Sequence, residues 1–257
     1  MLIVLSPAKA LDVTTPAPCA GTASPALLED AAQLAAQLQT YSPAQLAELM
    51  GLSDKLAQLN FIRWAQWKPP FGASNAKPAI FTFNGDVYTG LAATTLSASA
   101  LAYLQAHVRI LSGLYGVLRP LDWMQAYRLE MGCPLANIRG RDLYAFWGKQ
   151  LTALLQAQAQ TDTNPALINL ASQEYWRSIQ AEDLGIPVIT PIFQSKRGTQ
   201  YKVISLYAKR ARGLMTRFAA EQNCQHPNDL QAFSQEGYYF SAEASTNYTW
   251  VFRREVD

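Results

Sequence analysis

Short runs of β-branched and aromatic residues alternate along this chain with segments that repeat apolar residues every three or four positions. The strand-like runs, bounded by Gly, Pro or Asn, cover residues 2–5, 79–83, 166–170, 187–193, 201–206 and 248–252. The helix-like segments cover residues 25–39, 99–111, 142–160 and 207–222. This interleaving predicts a mixed α/β or α+β fold, in which a mixed sheet is flanked by helices.

The chain has 257 residues, which suffices for one large domain or two small ones. Its sequence contains no internal repeat, no low-complexity tract and no long Pro/Gly/Ser linker that would separate independent units. We therefore expect a single compact domain over residues 1–257.

Composition excludes several classes of protein. Hydrophobic residues make up 49% of the chain, which excludes disorder throughout, and a net charge of +2 does not by itself mark a nucleic-acid binder. No apolar stretch approaches the roughly 18 residues of a membrane-spanning helix. The apolar run at residues 1–5 is too short for a signal peptide. We expect a cytoplasmic protein without membrane contact.

The cysteines and histidines form no pattern that binds a metal. Cys19, Cys133 and Cys224 are far apart, and the only histidines are His107 and His226. A structural zinc site needs four ligands of this kind, and iron-storage proteins carry Glu-x-x-His repeats that this sequence lacks. We expect reduced thiols, no metal site and no cofactor.

Two windows of the sequence carry basic residues and no acidic ones. One spans residues 55–85 and combines Lys and Arg, including Arg63, with aromatic residues. The other spans residues 184–220, and its basic residues are Lys196, Arg197, Lys202, Lys209, Arg210, Arg212 and Arg217. If the windows meet in space, they create a positive field suited to phosphates and stacked bases. Alternatively, each is an ordinary solvated face.

Residues 43–66 resemble a helix-hairpin-helix, a module that binds the DNA backbone without reading its sequence. Gly51 suits a left-handed helix end, and Ser53 suits the cap of a second helix. The amides at the start of that helix and the charge of Lys55 would attract a phosphate. Ser53 replaces the second glycine of the module, however, and an ordinary helical hairpin is the alternative.

Polar residues follow three of the predicted strands, where α/β folds bind ligands. Lys9 follows the first of these strands, Asp86 the second, and Ser172 with Glu174 the third. A cation, carboxylates and a hydroxyl in one place could bind a nucleotide or perform acid–base chemistry. The alternative is that they are ordinary turn and cap residues.

Further charged residues surround a glycine-punctuated turn between apolar segments: Arg119, Asp122, Arg128 and Glu130. Charged groups that are wholly or partly buried need partners of opposite sign. We therefore expect a structural ion-pair network here, with a catalytic role as the lesser alternative.

Several blocks of the sequence carry a resemblance to a known family. They are LSPAKALD from Leu5, SDKLA from Ser53, GDVYTGL from Gly85, LSGLYGVLRPLD from Leu111, YRLEMG from Tyr127, NLAS-x-EY from Asn169 and YAKRARGLM from Tyr207. In this order they resemble the YaaA family of bacterial peroxide-stress proteins over the whole chain.

The resemblance implies a single-domain mixed α/β fold with a positively charged cleft and a helix-hairpin-helix. It also implies binding of double-stranded or structured DNA through the backbone, in a defence against peroxide and iron-linked damage that is connected to DNA repair. Ala10 and Asn84 stand where relatives can carry Thr and Lys, so the affinity for DNA can differ.

Our leading hypothesis is a DNA-binding protein of the peroxide-stress response that does not read sequence. The residues expected to bind DNA are Gly51, Ser53, Lys55, Arg63, Lys209, Arg210 and Arg212. The rival hypothesis is an enzyme that acts on a nucleotide or nucleic-acid base. The residues expected to carry its catalysis are Lys9, Asp86, Ser172 and Glu174.

Overall fold

The computed structural model of the chain describes residues 1–160 and 165–255. In these residues the strands are β1 (Leu2–Leu5), β2 (Ala10–Leu11), β3 (Lys77–Pro78), β4 (Phe83–Asn84), β5 (Val108–Ser112), β6 (Gly116–Leu118), β7 (Trp123–Met124), β8 (Leu167–Leu170), β9 (Val188–Arg197), β10 (Gln200–Lys202), β11 (Tyr239–Phe240) and β12 (Thr249–Arg254). The α-helices are α1 (Leu28–Gln39), α2 (Pro43–Met50), α3 (Asp54–Gln66), α4 (Ala79–Thr82), α5 (Asp86–Leu91), α6 (Ala98–His107), α7 (Leu143–Trp147), α8 (Gln150–Ala159), α9 (Gln173–Trp176) and α10 (Ser205–Glu221). Short 3-10 helices cover Ala93–Thr95, Ala181–Leu184, Pro227–Ala232, Gln235–Gly237 and Ala242–Ala244.

A central sheet organises the part of the chain that the structure describes. Its strand order is β11-β12-β9-β8-β1-β5-β6, and β10 pairs with the end of β9. Strands β12, β9, β8, β1 and β5 are parallel, whereas β6, β10 and β11 pair in the antiparallel sense. Inside the sheet, Ile3 of β1 lies opposite Ile168 on one side and Val108 on the other. All four residues of β1 are buried, as expected for a parallel strand covered on both faces. The prediction of a mixed sheet flanked by helices is confirmed.

Helices α5 and α10 touch through their backbones. A Cβ atom built on Gly213 would lie 1.8 Å from the carbonyl oxygen of Val87, and one built on Gly90 would lie 2.2 Å from the carbonyl oxygen of Arg210. Only glycine permits so close an approach, because any side chain would overlap the neighbouring backbone. This contact fixes α10, with its basic residues, against the helix that begins at Asp86.

Helices α2 and α3 form a hairpin in the position that the sequence predicts. Ser42 caps α2, because its side chain accepts a hydrogen bond from the amide of Gln45. Gly51 ends α2 in the left-handed region at φ 61°, and α3 begins at Asp54, directly after Ser53. The binding of DNA by this hairpin, and its assignment as a helix-hairpin-helix, stay predictions.

Two of the predicted elements differ from the structure, the first in its type and the second in its length. Residues 79–83 form mainly helix α4 rather than a strand, and all four residues of α4 are buried. A short run that is apolar throughout has no periodicity, so it does not separate a strand from a buried helix. The helix predicted over residues 99–111 ends at His107, where the buried strand β5 begins. The apolar residues of β5 simply continue the helical pattern.

Two further predictions hold only in part. The strand predicted over residues 201–206 ends at Lys202, and α10 already begins at Ser205. The helix predicted over residues 142–160 is interrupted at Gly148, which takes a φ of 49° between α7 and α8. A left-handed glycine is a common way to end a helix, and the apolar periodicity does not reveal it.

None of the helices in residues 1–160 and 165–255 has the length and apolar composition needed to cross a bilayer. Buried apolar side chains from the sheet and from helices on it form a hydrophobic cluster. The division of the chain into domains is untested, so a single domain over residues 1–257 stays a prediction.

Candidate functional site

A cavity of about 750 Å³ lies beside the carboxyl ends of β1 and β8. These strands are parallel neighbours, so the segments that follow them emerge at the same edge of the sheet. Residues 6–10 and 172–175 line the cavity from those two strand ends. Residues 84–88, residues 127–130 and helix α10 complete its walls. The fold therefore gathers the polar strand ends that the sequence analysis singled out.

Ser6 and Ser172 connect the two strand ends. The Oγ of Ser6 accepts a hydrogen bond from the amide of Ser172 at 2.8 Å and donates one to the Oγ of Ser172 at 3.2 Å. The Tyr88 hydroxyl donates to the carbonyl oxygen of Ser6 at 2.9 Å. These bonds hold the cavity floor in place, and the Ser172 hydroxyl keeps its own proton available for a ligand.

Glu130 forms ion pairs with two cationic side chains of the cavity. Its Oε1 lies 2.5 Å from the Nε of Arg128 and 3.5 Å from the Nζ of Lys9. The contact with Arg128 is an ion pair without good hydrogen-bond alignment, because neither atom has a hydrogen-bond partner. The expected ion-pair network is divided into two groups, because Arg119 pairs with Asp122 at 3.0 Å, apart from the group formed by Glu130, Arg128 and Lys9. Glu130 thus partly neutralises the positive charge of Lys9 and Arg128.

Glu174 is also engaged, but by the backbone. Its Oε1 accepts a hydrogen bond from the amide of Gly132 at 2.9 Å. This bond ties the segment after β8 to the segment that carries Arg128 and Glu130. The carboxylate therefore helps to shape the cavity wall.

Arg212, Lys209 and Asp86 are the unpaired charges of the cavity. Within the described residues, none of the three side chains forms a hydrogen bond or an ion pair, although all three line the cavity. Burial lowers the pKa of the half-buried Arg212 guanidinium, and no neighbouring charge contributes to that shift. A cation that is partly removed from water and lacks a counterion favours the approach of an anion.

Two other basic residues of α10 are paired with carboxylates. The Nε of Arg210 lies 2.6 Å from Oε1 of Glu236, and Arg217 forms an ion pair with Glu221 at 2.7 Å. The predicted window at residues 184–220 is free of acids in the sequence but not in space. Only the face of α10 that carries Lys209 and Arg212 turns its charge toward the cavity.

The hairpin residues lie outside the cavity lining. Gly51, Ser53 and Lys55 are exposed, and the Lys55 side chain has no partner in the described residues. Arg63, farther along α3, is half-buried, and its pKa is lowered first by burial and then by the nearby charge of Arg128. Through Arg63, α3 thus extends from the hairpin toward the side of the molecule that holds the cavity.

Comparison with known proteins identifies the family. A family model described as peroxide stress protein YaaA matches residues 1–244. The chain belongs to the YaaA family. UPF0246 proteins from Paraburkholderia xenovorans strain LB400 and Azoarcus sp. strain BH72 are 55% and 54% identical to it, and each alignment covers 100% of this chain. The alignments cover 99% and 100% of those two relatives, so the similarity extends over full lengths. The resemblance inferred from the sequence blocks is confirmed.

Sequence reasoning missed several residues of the cavity in this YaaA-family protein. Tyr88, Tyr127 and Tyr175 line it, and so does Arg128, for which an ion-pair network was the main prediction and a catalytic role the lesser alternative. Burial is the largest cause that raises the pKa of each of these tyrosines, so all three hydroxyls stay protonated near neutral pH. Tyr127 and Arg128 belong to one of the sequence blocks that carry the family resemblance. Their place in that block was the sequence signal that could have marked them as site residues.

Two cysteines of this peroxide-stress protein, Cys133 and Cys224, are buried and poorly suited to react with peroxide. Burial raises the pKa of the Cys133 thiol to about 12 and that of Cys224 to about 11. Thiolates, not thiols, are the nucleophiles that peroxide oxidises. In the described part of the chain, no group of three or more His, Cys, Asp and Glu side chains is arranged to hold a metal ion.

Proposed function

We propose that this YaaA-family protein acts in peroxide stress by binding DNA through its phosphates, without reading the sequence. The observation that carries the proposal is the face of α10, where Lys209 and Arg212 line the cavity without an acidic partner in the described residues. Unpaired cations on one face supply the sequence-independent attraction that phosphate binding needs. The proposal includes a cytoplasmic location, where the protein meets DNA.

Phosphates would contact the rim of the cavity rather than its floor. A cavity of about 750 Å³ has the size of a small-molecule site and cannot admit a duplex. At the rim, Lys209 is exposed and the Lys9 side chain is 69% exposed. Inside the cavity, the carboxylate of Glu130 repels a phosphate and already neutralises Arg128.

The hairpin of α2 and α3 would extend the same surface. A Cβ atom built on Gly51 would meet nothing within 4 Å, so the turn is open to a ligand. Ser53 makes no side-chain cap with α3, and Lys55 adds an exposed positive charge beside the first amides of that helix. Asp54 in the same turn works against a phosphate, so we assign the larger share of binding to α10.

A salt titration tests the proposal. Fluorescence anisotropy of labelled duplexes of two unrelated sequences should show similar affinities that fall steeply with salt, by about 0.9 in log–log slope for each phosphate neutralised. The double variant Lys209→Ala, Arg212→Ala should weaken the binding of both duplexes to the same extent. Because it removes two phosphate contacts, the log–log slope should fall by about 1.8. Absence of binding, or binding that does not respond to salt, would refute the proposal.

An enzyme that acts on a nucleotide or base is the second candidate function. The observation that favours it is that Lys9, Asp86, Ser172 and Glu174 all line the same cavity. Titratable groups that converge in a pocket are typical of catalytic sites. Incubation with a nucleotide library, followed by mass spectrometry, would detect turnover. An enzyme that uses Glu174 should lose turnover in the Glu174→Gln variant, whereas no product from the wild type would exclude this candidate for the substrates offered.

A further inference from the structure

We propose that the cavity holds one nucleotide unit, with its phosphate on Arg212 and Lys209, its base against the tyrosine wall and a base N–H group donating to Asp86. The inference rests on the proposed function, since the same two cations serve both. It goes further by assigning the cavity interior to a single nucleotide.

The charges that the protein leaves unpaired define the ligand. Glu130 and Glu174 are occupied, the first by Lys9 and Arg128 and the second by the amide of Gly132. A ligand that uses the remaining charges needs an anionic group for the cations of α10. It also needs a hydrogen-bond donor for the free carboxylate at the start of α5.

Asp86 excludes a simple anion as the best occupant. An ionised carboxylate only accepts hydrogen bonds and repels negative charge. Asp86 and Arg212 lie on helices α5 and α10, which touch through Gly90 and Gly213, yet no ion pair joins the two side chains in the described residues. The ligand must therefore carry both an anionic group for Arg212 and a hydrogen-bond donor for Asp86. A nucleotide has both, in its phosphate and in the amino or imino groups of its base.

The tyrosines supply a wall for the base. The hydroxyl of Tyr88 donates to Ser6, and the hydroxyl of Tyr127 hydrogen-bonds Ser112 at 2.7 Å. Tyr88, Tyr127 and Tyr175 are buried, with 7%, 5% and 7% of their surface exposed, so only a small part of each ring can contact a base. Together with the aliphatic side chains of Leu129 and Val203, they give the base an apolar wall that does not select its identity. The cavity volume of about 750 Å³ lies within the roughly 300–1,000 Å³ of small-molecule sites.

Two sources can supply such a unit. One is a free nucleoside monophosphate. The other is a nucleotide of a DNA strand that has left the base stack, which an unpaired nucleotide does at low cost. The recognition chemistry is shared, so the experiment has one arm for each source.

Calorimetry with the four deoxynucleoside 5′-monophosphates and the four deoxynucleosides forms the first arm. The monophosphates should bind more tightly than the nucleosides. Arg212→Met should weaken the monophosphates by about tenfold or more and leave the nucleosides nearly unchanged. Asp86→Ala should weaken binding of the nucleosides, and should weaken the monophosphates less, because the variant also removes a charge that repels the phosphate. Arg141→Met is the matched control, because the Arg141 side chain is 87% exposed and lies outside the cavity lining.

The second arm compares a matched duplex with one that carries a single unpaired nucleotide. If the occupant is a nucleotide of a DNA strand, the duplex that carries the unpaired nucleotide should bind more tightly than the matched duplex. Arg212→Met should remove this preference. If Arg212→Met does not fold, Lys209→Met serves for the same comparisons, because Lys209 is exposed. Arg212-independent binding in both arms, or no monophosphate binding together with no preference for the unpaired duplex, overturns the inference. If the matched duplex still bound in a salt-dependent way, the proposed function would stand without this inference. If the matched duplex did not bind either, both the inference and the proposed function would be overturned.

Discussion

Lys209 and Arg210 are adjacent in the sequence but serve different surfaces of helix α10. Lys209 lines the cavity without a partner in the described residues, whereas the Nε of Arg210 lies 2.6 Å from Oε1 of Glu236. Successive residues of a helix point about 100° apart, so neighbours in a basic run need not share a face. The charge available to a ligand is therefore smaller than the sequence suggests.

Gly213→Ala should destabilise the protein, because the new methyl group would meet the carbonyl oxygen of Val87 at 1.8 Å. Overpacking of this kind costs about 1–3 kcal/mol, and we expect the melting temperature to fall by several degrees. Thermal unfolding by circular dichroism measures the change. Gly72→Ala is the control, since a Cβ atom there would meet nothing within 4 Å. Equal melting temperatures for the two variants would contradict the close contact of α5 and α10.

Glu130→Gln should strengthen DNA binding, because it removes the carboxylate that faces Lys9 and Arg128. Each cation that then reaches a phosphate should steepen the salt dependence by about 0.9 in log–log slope. Anisotropy titrations at several salt concentrations measure the slope. Glu243→Gln is the control, because the Glu243 side chain is 81% exposed and lies beyond the cavity lining. Weaker binding of Glu130→Gln than of Glu243→Gln would show that Glu130 is not a neutralising group.

Cys133 and Cys224 should resist oxidation by hydrogen peroxide at neutral pH. Burial raises their thiol pKa values to about 12 and 11, so the reactive thiolate is scarce. Peptide mapping after treatment with peroxide and a sulfenic-acid trap should find modification first at the half-buried Cys19. Rapid trapping at either buried cysteine would contradict the scarcity of thiolate expected at these two positions.

The stability of the protein should rise with pH through the titration of His107. Burial is the main cause that lowers the pKa of His107 below its ordinary 6.5, and its Nδ1 lies 2.9 Å from the carbonyl oxygen of Met1. Between the folded pKa and 6.5 the unfolded state binds more protons, so the free energy of unfolding increases with pH. Urea unfolding at pH 5.5, 6.5 and 7.5 measures this slope. His107→Gln should reduce it. An unchanged slope in His107→Gln would contradict the assignment.

The sheet was predictable where a strand is buried and its ends are marked by turn residues. Strand β1 has the predicted bounds, β8 and β12 differ from their predicted bounds by at most two residues at either end, and β9 extends four residues further. Strand β5 was not predictable, because it follows α6 without an intervening turn and its apolar residues prolong the helical pattern. Helix α4 was mistaken for a strand, since all of its residues are buried.

The candidate site was predictable in its parts but not in its balance of charge. Residues that follow parallel strands meet at one edge of the sheet, so Lys9 and Ser172 could be placed together in advance. The pairing of Arg210 with Glu236 joins distant segments and depends on tertiary packing. Glu130 was expected in an ion-pair network, and it does pair with the nearby Arg128, whereas its contact with the distant Lys9 depends on tertiary packing.

The adjacent pair on α10 offers the most direct test of phosphate binding at the cavity rim. Duplex affinity should be measured over a series of salt concentrations for Lys209→Ala and Arg210→Ala, which remove one positive charge each from neighbouring positions. Lys209→Ala should weaken binding several-fold and reduce the salt slope by about 0.9, while Arg210→Ala should change neither by a comparable amount. Equal losses in the two variants, or a larger loss in Arg210→Ala, would contradict the account.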